Sequence, residues 1–447
     1  MTAKKGQAVQ AIRGMNDLLP ADSGRWRALE STMAEVFHRH GYQQIRTPIV
    51  EKTALFARSI GADTDIVSKE MYTFEDRNGT SLTLRPEGTA SCVRAGIEHG
   101  LLYNQQSRLW YIGPMFRHER PQKGRYRQFH QAGVECFGWD TPDIEAEVIA
   151  LVVQLFDALG LKDYRLELNS LGDTASRAAY RTSLQTYFRS VEDQLDEDSL
   201  RRLDSNPLRI LDSKNPDLRE VINGAPTILD ALSDDSKAHF EELQFYLDEL
   251  NIDYVVSPTM VRGLDYYNDT VFEFICDDFG AQATVCGGGR YDGLVTSLGG
   301  PATPAFGFGL GLERLVQILE EQGAELKDED SNSVFIVSDH GPCRATALRI
   351  RQSLAANGIR CLMAMGQAGF KNQFKRADKS GALLAIVIGE EEFANGQVQI
   401  KFLNKPDENI VAAAPDLIKQ ALSDGEQQFA IALESAVEQV TNLMISL

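Results

Sequence analysis

Five basic side chains crowd into one short stretch of this chain, Arg117, Arg120, Lys123, Arg125 and Arg127, with Glu119 the carboxylate among them. Like charges this close repel by roughly a few tenths of a kcal/mol per pair unless an anion sits between them. A planar guanidinium grips phosphate with two prongs, so the chemistry on offer is phosphate binding. On charge alone, a solvated edge loop guarded by basic residues reads equally well. Three other stretches carry chemical groups at suggestive spacing. Arg85-Pro86-Glu87-Gly88-Thr89 presents a carboxylate and a hydroxyl together, suited to an ammonium group or, equally, to the start of a helix. Arg262-Gly263-Leu264-Asp265-Tyr266-Tyr267 gathers Arg, Asp and two Tyr beside a Gly, one hairpin ahead of the Gly-rich run Cys286–Leu294. Gly307, Gly309 and Gly311 alternate along a strand that runs into Glu313-Arg314, leaving one strand face bare so that a flat ring can lie close.

These groups need elements to hold them. The basic stretch is flanked by Leu109–Phe116 and Ala132–Trp139, aromatic and β-branched runs that predict two strands joined by a long loop punctuated by Pro121 and Gly124. Trp26, Leu29, Met33, Val36 and Phe37 predict an amphipathic helix over residues 24–40, with His38 and His40 near its end as surface or cap residues. The following strand, residues 41–50, is interrupted by Pro48, the mark of an edge or an interface. Met71–Phe74 and Ser81–Leu84 predict a hairpin around Asn78-Gly79. A helix over 141–160 and a strand over 165–169 follow. From 173 to 250 the sequence turns charged and helical-looking.

Beyond the polar stretch 327–333, alternating β and α patterns to residue 389 predict a small α/β domain. Lys371, Lys375, Arg376 and Lys379 recur at near-helical spacing there, making one basic face in an acidic chain. A stripe through Ala430, Leu433, Val437, Val440, Met444 and Leu447 predicts a helical tail that docks on the body or on a second copy.

Composition narrows the class. At 447 residues the chain has room for two or three domains, and 43% apolar content is ordinary for a globular protein. A net charge of −19 argues against nucleic-acid binding over the whole surface, though not against a local basic site. Cys92, Cys136, Cys276, Cys286, Cys343 and Cys361 include no Cys-x-x-Cys pair, which points to reduced thiols in a cytoplasmic protein rather than a zinc or disulfide framework. The amino terminus has no apolar core of a signal peptide, and no run approaches a membrane span.

Taken together, Phe116-Arg117-His118-Glu119 with Arg125–Phe129, the helix–strand–Pro48 pattern, and Gly307–Arg314 resemble the three signature motifs of class II aminoacyl-tRNA synthetases. Arg262–Tyr267 and Gly288-Gly289-Arg290-Tyr291-Asp292-Gly293 look like the two histidine-specific signatures of the histidyl-tRNA synthetase family, and the resemblance runs from about Ile12 to Gly425. It implies an α+β catalytic domain with an antiparallel sheet over residues 1–172 and 251–325. It further implies a helical insertion over 173–250 and an anticodon-binding α/β domain over 333–425, with the tail 426–447 unmatched.

The implied substrates are ATP with Mg²⁺, L-histidine and tRNA(His), handled by a homodimer. Arg117 and Arg262 would converge on the α-phosphate, with Glu119, Arg125, Phe129 and Arg314 completing the ATP site. Phe129 would stack on adenine and Arg314 would cover its other side. Glu87, Thr89 and Gln131 would lie near the α-amino group, and Glu135 with Tyr266 or Tyr267 would read the imidazole. Lys371, Lys375 and Arg376 would meet the tRNA backbone. Some relatives have lost catalysis, such as the regulatory subunit of ATP phosphoribosyltransferase. Such chains usually shed the C-terminal domain and erode the arginines, whereas this sequence keeps Arg117, Arg262 and Arg314.

Overall fold

The computed structural model of the chain describes residues 8–446 apart from 62, 63, 65, 212, 214, 261–263, 265, 277–283, 325, 327–332, 407 and 425. It divides into two compact units, the first comprising the residues before Pro20 with Leu29–Leu326 and the second comprising Pro20–Ala28 with Lys327–Leu447.

The first unit begins its sheet structure after the helix Pro20–Arg39, which stops where Gly41 takes a φ of 79°. Strands β1 (Gln43–Gln44) and β2 (Val50–Lys52) follow, then β3 (Tyr72–Glu75) and β4 (Ser81–Leu84). The last two form the expected hairpin; Asp76 Oδ1 accepts from Asn78 N and Thr80 N at 2.8 Å each, and Gly79 supplies a φ of 79°. β2, β4 and β3 form a small sheet of their own, so exposed Pro48 separates strands of two different sheets rather than interrupting one.

The large sheet adds β5 (Ser107–Phe116), β6 (Gln128–Phe137), β7 (Arg165–Ser170), β8 (Val255–Val256), β9 (Asn268–Ile275), β10 (Thr284–Arg290) and β11 (Ala305–Gly311). Its order is β1-β5-β6-β11-β10-β9-β7-β8, antiparallel except at the two short edges. Pro114 is tolerated inside β5 because β1 pairs only with Leu109 and Trp110, leaving that edge open at Pro114. β5 and β6 pair in unbroken register from Ser107–Phe137 to Phe116–Gln128, which fixes both feet of the basic loop. The helix Pro142–Leu159 ends on Gly160 in the left-handed region (φ 73°) and buries Val148, Val152, Leu155 and Phe156.

Between β7 and β8 the described residues hold helices and no strand. Asp173, Asp196 and Ser233 cap three of these helices by accepting from backbone N–H groups. Tyr180, Leu184, Phe188, Ile210 and Leu218 give the insertion its own core.

The second unit contains β12 (Ser333–Ser338), β13 (Arg360–Met363), β14 (Leu384–Ile388), β15 (Gln397–Phe402) and β16 (Gln428–Ala432), in the order β13-β12-β14-β15-β16. The first three are parallel, with helices Pro342–Ala356 and Phe370–Lys379 as crossovers. Here the helical tail expected over 426–447 is corrected. Its first part is β16, the antiparallel edge strand against β15, and only Ala436–Ile445 is α-helix. The apolar stripe misled because Phe429 and Ile431 also alternate, and both are buried in the same core as Ala436, Val440 and Leu443. The segment completes this unit.

Candidate active site

A cavity of about 290 Å³ opens between the Arg85–Thr89 turn, the basic loop and strands β6, β10 and β11. Glu87, Thr89, Arg117, Glu119, Arg125, Phe129, Gln131, Tyr266, Tyr267 and Arg314 all line it. Of the other residues anticipated for this site, Glu135 stands behind the wall and Arg262 lies outside the described residues.

The guanidinium groups form one set of lining residues. Arg117 Nε donates to the Pro86 carbonyl at 2.9 Å, and its Cζ lies 5.3 Å from the centroid of the Phe129 ring. Arg125 Nε meets Glu119 Oε2 at 2.9 Å. Burial pushes Glu119 up, while Arg125, Arg117 and Arg314 pull the other way; this one carboxylate sits among the three cations and relieves their repulsion. Arg314 donates to the Thr284 carbonyl, and burial, then Arg125, lower its pKa. Arg127 braces the loop from outside: its N–H donates to Gly14 O at 2.7 Å and its Nε to Glu119 O at 3.1 Å. His130, which sequence reasoning left without a role, approaches Glu313 with Nδ1 (2.8 Å) while its backbone N–H donates to the same carboxylate. Glu313 faces the cavity beside Arg314.

Buried acids and phenols form a second set. Glu87 is 3% exposed and accepts from Thr89 N (2.5 Å) and Ala90 N (3.0 Å), capping the helix Thr89–Glu98. Burial raises its pKa, and those two N–H groups and Arg117 oppose the rise. The helix-start reading of this turn is met, and Glu87 rather than Thr89 makes the cap. Thr89 Oγ1 instead donates to Glu135 Oε1 at 2.7 Å. Glu135 is fully buried and also accepts from Tyr111 OH at 3.1 Å and from Tyr291 OH. Burial pushes it up to about 8, against the pull of the Tyr291 and Thr89 hydroxyls. The rings of Tyr266, Tyr267 and Tyr291 cluster at centroid distances of 4.7, 5.6 and 6.5 Å. Gln131 Oε1 is buried without a hydrogen-bond partner among the described residues, an acceptor suited to an N–H donor.

Two of these hydroxyls escaped the sequence reading. Tyr291 lies inside the quoted Gly-Gly-Arg-Tyr-Asp-Gly signature, so a signal was present. Tyr111 had none beyond its alternation in β5. Gly307 and Gly309 explain the bare strand face: a methyl at Gly307 would stand 2.2 Å from Glu135 Oε2, and one at Gly309 2.4 Å from Gln131 Nε2. Lys371, Lys375 and Arg376 belong to the second unit. All three are exposed on the helix Phe370–Lys379, whose Gln373 and Ala377 are buried. Among the described residues no cluster of three His, Cys, Asp or Glu groups could hold a metal, and no helix is long and apolar enough to cross a membrane.

An antiparallel sheet that floors one cavity, with arginines delivered by a hairpin loop and by the end of a Gly-rich strand, is the catalytic architecture of a class II aminoacyl-tRNA synthetase. The histidyl-tRNA synthetase family model matches residues 14–315, and an anticodon binding domain model matches 332–441. The chain belongs to the histidyl-tRNA synthetase family, and its activity is that of a histidine–tRNA ligase. Apo histidyl-tRNA synthetase of S. aureus is 38% identical over 97% of this chain and 100% of its own, with a TM-score of 0.78. Histidyl-tRNA synthetase from a Nostoc species (19% identical, TM-score 0.69, 97% and 99% covered) shares the fold. So does an ATP phosphoribosyltransferase regulatory subunit/histidyl-tRNA synthetase from Bacillus halodurans (23%, 0.63, 86% and 99%).

Proposed function

We propose that this cavity performs both half-reactions with the roles distributed along its length. The histidine carboxylate attacks the ATP α-phosphate, the bond to the β-phosphate bridging oxygen breaks, and pyrophosphate leaves histidyl-adenylate behind. A terminal ribose hydroxyl of tRNA(His) then attacks the adenylate carbonyl, loses its proton and expels AMP. The first step gathers negative charge at phosphorus, so it needs placed cations more than a general base. Arg117 takes the α-phosphate together with Arg262, Arg125 and Arg314 reach the outer phosphates, and Phe129 takes one face of the adenine with Arg314 covering the other. Glu87, Thr89 and Gln131 flank the α-amino group, while Glu135 acts on the imidazole through the hydroxyls of its tyrosine cluster.

The observation that carries this reading is one cavity lined by Arg117, Arg125 and Arg314 together with Tyr266, Tyr267 and Gln131, whose buried Oε1 has no hydrogen-bond partner among the described residues. Mg²⁺ fits as an ion held chiefly by the phosphates, since Glu119 and Glu313 offer carboxylates but no three-ligand cage forms among the described residues. Those two residues would hold it, and it would neutralise charge on the outer phosphates. The exposed basic helix face would meet the tRNA backbone, and the enzyme would work in the cytoplasm as a homodimer with the Pro48 segment at the two-fold. A solution mass of one chain, 49.6 kDa, at full activity would contradict that last point. Crystals soaked with histidine and ATP test the site itself: phosphate density beside Arg117 and an imidazole beside Tyr266 and Tyr267 are expected, and nucleotide density elsewhere overturns the assignment.

A further inference from the structure

The turn that carries Tyr291 is gripped from both sides. Arg290, 2% exposed, donates through Nε to Glu145 Oε1 at 2.6 Å, and through Nη1 to the Trp139 carbonyl (3.0 Å) and Asp292 Oδ1 (3.2 Å). Asp292 Oδ1 also accepts from Ala305 N, while Asp292 N donates to Asn268 Oδ1, each at 2.8 Å. Arg290 and Asp292 thus fix the backbone on either side of Tyr291, whose phenol reaches Glu135. β10 shifts register against β9 between Gly289 and Arg290, so on that side the side-chain bonds of Arg290 and Asp292 hold the turn. On the other side pairing with β11 runs to Arg290–Phe306, and Tyr291 N donates to Ala305 O at 2.8 Å.

The helical insertion joins this network. His239, on the helix Asp234–Glu249, places Nε2 2.8 Å from Glu145 Oε1, the same oxygen that Arg290 uses. One turn earlier on that helix, Ser236 Oγ donates to Asp269 Oδ1 at 2.7 Å, and Asp269 neighbours the Asn268 that holds Asp292. Burial disfavours the imidazolium, but Glu145's hydrogen bond and charge outweigh it and leave His239 above its ordinary value; Arg290 opposes this and Asp269 assists.

We propose that His239 is a positioning residue for the histidine end of the cavity: through Glu145 and Arg290 it lets the insertion fix the Tyr291 turn, so amino-acid recognition depends on how the insertion is seated. The proposal rests on the reading of the tyrosine cluster around Glu135 as the histidine pocket. The test is steady-state ATP–pyrophosphate exchange by the full-length protein carrying His239→Ala, His239→Asn, His239→Gln, Tyr291→Phe or the His239→Ala/Tyr291→Phe pair. Losing one charge-assisted contact should raise the KM for histidine about tenfold in His239→Ala and leave the KM for ATP within about twofold. Asn, too short to reach Glu145, gives the same result without emptying the site, and Gln, which keeps a donor there, recovers most of the affinity. In the Tyr291→Phe background the further effect of His239→Ala shrinks below about twofold, because both act on one group. Parallel rises in both KM values, or full multiplication in the double variant, overturn the proposal. A histidine KM that rises in Tyr291→Phe but not in His239→Ala or His239→Asn overturns it alone, and an unchanged KM in Tyr291→Phe overturns the pocket reading beneath it.

Discussion

Glu87 and Glu135 are both buried carboxylates, and each is satisfied differently. Glu87 draws on backbone N–H groups at a helix start, a fixed partial positive charge that favours the ion. Glu135 has only hydroxyl donors, which stabilise the ion too little to offset burial, and ionises at about 8. A carboxyl held at about 8 in the folded chain and at 4.5 when solvated binds its proton more tightly in the native state. Its contribution to stability is therefore full in acid and fades as pH climbs through about 8. Glu135→Gln removes that titration. The stability advantage of the parent protein over this variant should shrink steadily from about pH 5 to pH 8 in thermal melts, and an advantage that grows with pH would be the wrong sign. Arg117 makes the complementary case. Arg117→Ala should slow adenylate formation by about tenfold to a few hundredfold, the worth of one charge-assisted contact to phosphate, with a melting temperature close to the parent's. An unchanged rate would remove Arg117 from the chemistry.

Among the elements, β11 bears most directly on the site. Its glycines give up side chains so that Glu135 and Gln131, on the neighbouring strand, can occupy that space. Gly307→Ala should displace Glu135, raise the histidine KM and cost about 1–3 kcal/mol of stability. Gly311→Ala, whose methyl would meet nothing within 4 Å, should leave stability unaltered. Equal melting temperatures for the two variants would refute the packing argument. Both framing strands of the basic loop, the Asn78-Gly79 hairpin and the parallel strands of the second unit were legible because short aromatic and β-branched runs are bounded by turn and loop residues. β16 was not, since its five residues sit beside a helix whose apolar positions continue the same stripe. That Arg117, Arg125, Arg314 and Gln131 line one cavity follows the family resemblance in the sequence, while Arg262 lies outside the described residues. Tyr111, and the part played by His130 through Glu313, were not, because partners far apart in sequence meet only through the pairing of β5, β6 and β11.

At the scale of the whole molecule, an acidic chain of net charge −19 carries Lys371, Lys375 and Arg376 exposed on one helix of its second unit. If that face meets the tRNA backbone, reversing the three charges should weaken tRNA binding and flatten its salt dependence, while pyrophosphate exchange stays intact. A matching loss of exchange would make the face structural.

The central claim, that separated guanidinium groups and an imidazole-reading cluster serve one ATP-dependent activation, is tested most directly by pyrophosphate exchange with the purified full-length protein at millimolar ATP. Labelled pyrophosphate should enter ATP when L-histidine is added and not when other amino acids replace it. Absence of histidine-dependent exchange, or exchange indifferent to the amino acid supplied, would contradict the account.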